Sequence, residues 1–208
     1  MKVAITCQRG HIPVNYIRWI KQAGLEPVVI SRMRDIRRLK DAEGILFSGG
    51  GDLWPHFYSA EKVGSGFDLY RDILEYHIFQ QRGERAVLGI CRGMQIVNVF
   101  LGGTLMDMAE PQKHSGEKIH FVQTTASSRL RRVLGEQPRV NSAHHQAVAQ
   151  LAPSLTIAAY CQSVPEAAEG KNLLLVQFHP ERMNSRPLGR FWKVWLCTGK
   201  PTAKKQIF

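Results

Sequence analysis

Short runs of β-branched and aliphatic residues alternate with longer amphipathic stretches through the first half of the chain. VAIT (3–6) predicts a strand, and VNYIRWIKQAG (14–24) predicts an amphipathic helix that Gly24 can close as a C-cap. EPVVIS (26–31) and GILFS (44–48) predict two more strands, with a basic helix near 33–40 between them. FDLYRDILEYHIFQQRG (67–83) predicts a long helix, with Phe67, Tyr70, Ile73, Leu74 and His77 at helical spacing and Gly83 at its end. AVLGI (86–90) is strand-like and apolar throughout, and MQIVNVFLGG (94–103) predicts a helix closed by two glycines. Strands of this kind, alternating with helices, imply a parallel sheet covered on both faces.

The second half is less regular. KIHFVQTT (118–125), LTIAAYC (155–161) and NLLLVQF (172–178) predict strands, SRPLGRFWKVWL (185–196) a closing helix, and 199–208 a flexible tail. With no internal repeat, low-complexity segment or linker in view, the expectation is one α/β domain over 1–208.

Composition narrows this only slightly. Hydrophobic residues make up 44% and charged residues 22%, as in ordinary globular proteins. No apolar run approaches the roughly 20 residues of a membrane span. The opening MKVAITCQRG enters a strand without the apolar core of a signal peptide, so a cytoplasmic location is expected. The formal net charge is +11, concentrated in 32–40, in 128–134 and after Glu181. Such a balance fits a nucleic acid, an acidic partner or an anionic substrate, or simply a solvated basic surface. No RNA-binding aromatic motif or zinc finger accompanies it, so nucleic acid is not the expected partner.

The four cysteines, Cys7, Cys91, Cys161 and Cys197, are scattered without ligand spacing, which predicts neither a disulfide framework nor a metal site. Cys91 stands apart. In VLGICRGMQIVNVFLGG (87–103) an apolar strand ends at Cys91, with Gly89 and Gly93 two residues to either side and a helix following. This is the sulfur counterpart of the nucleophile elbow. It places a thiol at a helix N-terminus, where the dipole favours the thiolate, and aims the Arg92 N–H toward a developing oxyanion. A buried cysteine in a glycine-rich turn would have the same spacing. In VQFHPER (176–182) residues two apart on an extended strand face one side, so His179 can serve as base and Glu181 can orient it. An exposed turn is the other meaning of that triplet. LFSGGGDLWP (46–55) exposes backbone N–H groups after a strand, as an oxyanion hole or as a plain turn.

Together these stretches resemble the class I glutamine amidotransferase family, and within it the γ-glutamyl-γ-aminobutyrate hydrolase branch, the C26 cysteine peptidases. The matching segments are SGGGDLWPHFY (48–58), RDILE (71–75), LGICRGMQIVNVFLGGTLMD (88–107), VNSAHHQAV (140–148) and VQFHPER (176–182), in the family's order. The resemblance implies a class I amidotransferase-like (flavodoxin-like) three-layer sandwich with a mostly parallel central sheet. It implies a catalytic triad of Cys91, His179 and Glu181, oxyanion donors at Gly50 or Gly51 and Arg92, and a γ-glutamyl amide substrate. It also carries substrate contacts onto Gln95, Ser142, Ala143 and His144 with its neighbour His145, although the two histidines can equally be structural. No cofactor or metal is implied. Leu53 and Trp54 stand where relatives carry smaller or more polar residues, so the resemblance speaks for the glutamyl half of the substrate rather than for the amine. A stand-alone hydrolase, a glutaminase subunit serving a separate synthetase partner, and a basic binding protein are the three functions carried forward. The complete triad speaks against the last. A homo-oligomer stays open.

Overall fold

Five strands run parallel through the centre of the molecule, and three antiparallel strands extend that sheet on one side. The computed structural model describes residues 1–58, 66–110, 114–183 and 186–198, without the side chains at 186, 194, 195, 197 and 198. The expected flexible tail over 199–208 lies outside the described residues. In chain order the strands are β1 (Lys2–Thr6), β2 (Glu26–Ile30), β3 (Gly44–Phe47), β4 (Ala86–Ile90), β5 (Thr104–Asp107), β6 (Lys118–Phe121), β7 (Gln123–Thr124), β8 (Arg139–Ser142), β9 (Gln146–Gln150), β10 (Thr156–Cys161), β11 (Val164–Gly170) and β12 (Leu173–Val176). The α-helices are α1 (Val14–Gln22), α2 (Leu69–Gln80), α3 (Arg92–Phe100), α4 (Arg129–Leu134) and α5 (Arg186–Thr198).

The main sheet has the order β2-β1-β3-β4-β12-β11-β10-β7. Its central strands β3, β4 and β12 are buried at every position, as apolar runs without alternation require. One face packs Val3, Ile5, Leu46, Leu88 and Ile90 with Trp19 and Ile20 of α1 and Leu188, Trp192 and Leu196 of α5. The other packs Ala4, Ile45, Phe47 and Val87 with Leu74, Ile78 and Phe79 of α2 and Met94 and Ile96 of α3. This is the three-layer, mostly parallel α/β sandwich that the sequence leads one to expect.

Several elements differ from expectation. The segment at 33–40 forms a 3-10 helix, Met33–Asp41, rather than an α-helix. The stretch 118–125 is two strands: β6 pairs with β8 in a small separate sheet, and β7 joins the edge of the main one. β5 and β9 pair with each other, built from sequence that carries little hydrophobic periodicity. On α2 the helical spacing is real but the face is not the expected one. Tyr70 and Ile73 are each 38% exposed, while Arg71, Asp72 and Glu75 are buried beside Leu74 and Ile78. A buried ion network replaces part of the apolar stripe.

Candidate active site

The strand β4 hands Cys91 directly to α3, and the backbone turns sharply there. Cys91 has φ +53° and ψ −109°, a conformation that side chains other than glycine rarely adopt. The turn is held by Cys91 N–H donating to the Val176 carbonyl at 2.8 Å, and by Met94 and Gln95 N–H donating back to the Cys91 carbonyl at 2.9 and 3.2 Å. Glycine is required on both flanks. A Cβ on Gly93 would lie 2.0 Å from the Phe47 carbonyl oxygen, and one on Gly89 would lie 2.6 Å from the Gly93 oxygen. Their absence lets α3 sit close on β3 and β4. Arg92 is the first residue of α3, so its N–H has no intrahelical acceptor and the helix dipole is positive beside the sulfur.

His179 and Glu181 lie past the end of β12, on a turn rather than on the strand; the strand stops at Val176. The turn closes through Arg182 N–H to the His179 carbonyl at 3.1 Å. His179 Nδ1 meets Glu181 Oε1 at 2.8 Å, and its backbone N–H donates to Asn141 Oδ1 at 3.1 Å. Burial works against an imidazolium here. The Cys91 sulfur and the Glu181 carboxylate outweigh it and raise His179 to about 9. The negative groups on either side of the ring therefore favour its charged form. Arg182, ion-paired with Glu117, comes within 3.5 Å of Glu181 Oε1, and Glu117 in turn accepts from Asn141 Nδ2 at 2.9 Å.

The glycine-rich loop after β3 faces this pair. A Cβ on Gly49 would stand 3.0 Å from His179 Cε1, 3.7 Å from Cys91 Cβ and 2.7 Å from the Tyr16 hydroxyl oxygen. Gly49 N–H donates to that hydroxyl at 2.9 Å. Tyr16 is nearly buried, and burial followed by the charges of Glu181 and Cys91 pushes its hydroxyl well above the usual range. It therefore stays protonated. A Cβ on Gly50 would be 2.2 Å from Arg71 Nη1 and 3.3 Å from Arg92 Cδ, and one on Gly51 would be 2.9 Å from the Gly66 carbonyl oxygen.

Beneath the loop lies the ion network of α2. Arg71 donates to the Ser48 carbonyl at 2.8 Å, to the Gly49 carbonyl at 3.1 Å and to Glu75 at 2.9 Å. Arg92 pairs with both Asp72 and Glu75, and Glu75 also accepts from Thr6 Oγ1 at 2.6 Å. Trp54 N–H donates to Asp72 at 2.8 Å. Burial would raise Glu75, but Arg71 and Arg92 hold it below the usual carboxylate range. RDILE thus has a structural role: it fixes the loop at 48–54 against the helix that begins behind Cys91.

Within α3, buried Gln95 donates to the Gln146 carbonyl at 2.9 Å and to Gln177 at 3.3 Å. Ser142 is buried with its hydroxyl 3.2 Å from His120 Nδ1, and Ala143 is partly exposed. The His144 ring faces Glu166 at 3.6 Å, whereas the His145 ring is exposed and meets Asp52 at 3.0 Å. Tyr16, Glu117 and Glu166 carried no motif signal, and Asn141 lies in the matched segment 140–148 but had no role assigned to it. Tyr16 was hidden in an amphipathic helix, and the others sit in strands or turns defined only by pairing. The remaining described cysteines lack the environment of Cys91: burial pushes Cys7 up to about 11 and also raises Cys161.

A cysteine at a strained turn, a histidine bonded to a carboxylate, and a glycine loop beside both are the arrangement that nucleophilic catalysis calls for. The Peptidase C26 family model matches residues 1–181, and the chain belongs to that family. It is 33% identical over 195 residues to a Mycobacterium tuberculosis protein named "Putative glutamine amidotransferase", covering 83% of this chain and 63% of that protein. The chain therefore spans less than two-thirds of that relative's length. It is 27% identical over 169 residues to a subunit of the glutamine-hydrolysing GMP synthase of Pyrococcus abyssi, covering 79% of this chain and 80% of that one. A Thermoplasma acidophilum crystal structure, described as a "putative GMP synthase" component, superposes with a TM-score of 0.74 at 18% identity, covering 95% and 94% of the two chains. The fold is that of the class I glutamine amidotransferase-like proteins. No helix among the described residues is long and apolar enough to cross a membrane.

Proposed function

We propose that the protein is a cysteine-dependent hydrolase of γ-glutamyl amide bonds, working as one amidotransferase-like domain. The observation that carries this reading is Cys91 at φ +53° on the N-terminus of α3, beside a His179 raised to about 9 and bonded to Glu181. The Cys91 thiolate attacks the γ-carbonyl carbon, and the carbonyl π electrons move onto oxygen. The N–H groups of Arg92 and of Gly50 or Gly51 receive that oxyanion. His179 gives its proton to the departing nitrogen as the C–N bond breaks, leaving a γ-glutamyl thioester and a free amine. Neutral His179 then takes a proton from water, hydroxide attacks the thioester, and glutamate leaves as the thiolate reforms. Gln95 and the 142–145 segment form the wall against which the glutamyl group is held.

The test is a panel of glutamine, γ-glutamyl-γ-aminobutyrate, γ-glutamyl polyamines and anionic γ-glutamyl amides, with glutamate quantified and Cys91→Ala as control. Cleavage of a substituted amide well above glutamine, abolished in Cys91→Ala, is the expected result. Absence of any Cys91-dependent glutamate release removes the hydrolase reading. The likeness to a component of a GMP synthase favours a second reading, a glutaminase that passes ammonia to a synthetase partner. Turnover of glutamine alone, raised by a co-purifying synthetase, would decide for it.

A further inference from the structure

Behind the 142–146 wall three imidazoles converge on one carboxylate that the proposed chemistry does not use. Glu166 of β11 is fully buried, and its Oε1 faces His114 Nδ1 at 3.2 Å, His120 Nε2 at 3.4 Å and His144 Nε2 at 3.6 Å. Among the described residues, none of these three nitrogens and neither Glu166 oxygen meets hydrogen-bond geometry with a protein partner. His114 and His144 are 7% and 4% exposed. Their ring centroids lie 5.1 Å apart, and the donor atoms of His114, His144 and Glu166 all fall within 4.8 Å of one another. We propose that His114 Nδ1, His144 Nε2 and the Glu166 carboxylate bind one divalent transition-metal ion of the zinc type.

The tautomer of His144 supports this directly. Its Nδ1 lies 3.0 Å from the Gln146 carbonyl oxygen, which can only accept, so Nδ1 carries the proton. In the neutral ring Nε2 then holds a lone pair, and it faces a carboxylate oxygen at 3.6 Å. That arrangement is repulsive unless a cation stands between them, and a carbonyl holding the far nitrogen is the usual support of a metal-bound histidine. The spacing fits as well. Ligands about 2.0–2.1 Å from a tetrahedral ion lie roughly 3.3–3.4 Å apart, and the nitrogen-to-oxygen distances of 3.2 and 3.6 Å bracket that value.

Two imidazoles with one carboxylate suit zinc and its neighbours, rather than calcium or magnesium, which prefer all-oxygen shells. His120 Nε2 stands 3.4 Å from the same carboxylate oxygen, with its Nδ1 beside the Ser142 hydroxyl. The frame is rigid: His144 N–H donates to the His114 carbonyl at 2.9 Å, and Gln177 N–H donates to the Glu166 carbonyl at 2.8 Å. An ion here ties the segment holding Ser142 and His144 to the strands that lead into His179. The sequence hid it because the ligands come from three separate stretches with no motif spacing.

The experiment uses the full chain carrying Cys91→Ala, so that added zinc has no thiolate to bind beside His179. After chelation and dialysis, zinc is added, excess is removed on a desalting column, and bound metal is measured by mass spectrometry with the melting temperature alongside. One equivalent per chain and a higher melting temperature are expected, with visible d–d absorption when cobalt replaces zinc. His144→Gln and Glu166→Gln should weaken binding by more than the roughly 10- to 100-fold expected for His120→Gln, which perturbs only the supporting shell. Should Glu166→Gln fail to fold by circular dichroism, His114→Gln replaces it. A folded Cys91→Ala chain that retains no metal overturns the proposal, as does undiminished retention in the ligand variants. No amide substrate enters the measurement, so either result leaves the hydrolase reading where it stood.

Discussion

At the scale of single residues the site depends on where one proton sits. His179 is raised from 6.5 to about 9, with burial opposing the charge and the Cys91 and Glu181 charges prevailing. A raised folded-state value means that the imidazolium favours the native state. Its contribution is complete below about pH 6.5 and is lost as pH rises through about 9. The same proton is the one delivered to the leaving amine. The kcat/KM profile should therefore hold through neutral pH and fall on a basic limb near 9. Glu181→Gln removes a carboxylate that supports the charge, so that limb should move to lower pH while kcat drops about 100- to 10,000-fold. A pH–rate profile of both proteins checks this, and an unmoved limb would take Glu181 out of its proposed role. Cys91, His179 and Glu181 were readable because each stands in a short motif at a strand end. Tyr16 was not, because one tyrosine among the apolar residues of α1 looks like any core aromatic.

At the scale of elements, α2 explains why composition alone misleads. Its amphipathic spacing predicted a helix correctly, yet the inward face carries Arg71, Asp72 and Glu75, and Tyr70 and Ile73 point outward. Hydrophobic pattern cannot distinguish a buried charge from an exposed one; only the partners can, and these come from Thr6, Ser48 and Arg92 far away in the chain. Glu75→Gln would leave two buried guanidinium groups undercompensated and should cost about 3–5 kcal/mol. At about 2–4 °C per kcal/mol for a chain of this size, calorimetry should show a clear fall in melting temperature. Glu84→Gln, whose pairing with Lys171 is solvent-exposed at both ends, should change it by no more than about 1 kcal/mol. Equal effects would mean that the buried network does not hold the loop. β5, β8 and β9 were illegible for a related reason: they are short, polar at several positions, and made strands by pairing with one another and with β6.

At the scale of the whole molecule, the parallel sheet must be covered on both faces, and α5 does part of that beyond the stretch the family shares. The family model ends at 181, whereas α5 runs Arg186–Thr198 and sets Leu188, Trp192 and Leu196 onto the face that carries Val3, Leu46 and Leu88. Gly44 on β3 makes room for it, since a Cβ there would lie 2.3 Å from Leu196 Cδ2. Trp192 is fully buried, and among the described residues its indole Nε1 has no hydrogen-bond partner. Its contribution is therefore volume and apolar area, not polarity. Trp192→Ala should destabilise the protein by about 3–5 kcal/mol through the cavity it leaves. Trp192→Phe keeps most of the packing, removes an unpaired donor, and should cost well under half as much. Because the Trp192 indole makes no hydrogen bond to Cys91, His179 or Glu181, both variants assayed well below their melting temperatures should retain kcat on whichever amide the wild type cleaves. Denaturant melts paired with that assay separate the two effects. A loss of kcat in Trp192→Phe without a loss of stability would mean that α5 reaches the site, and that covering the sheet is not all it does.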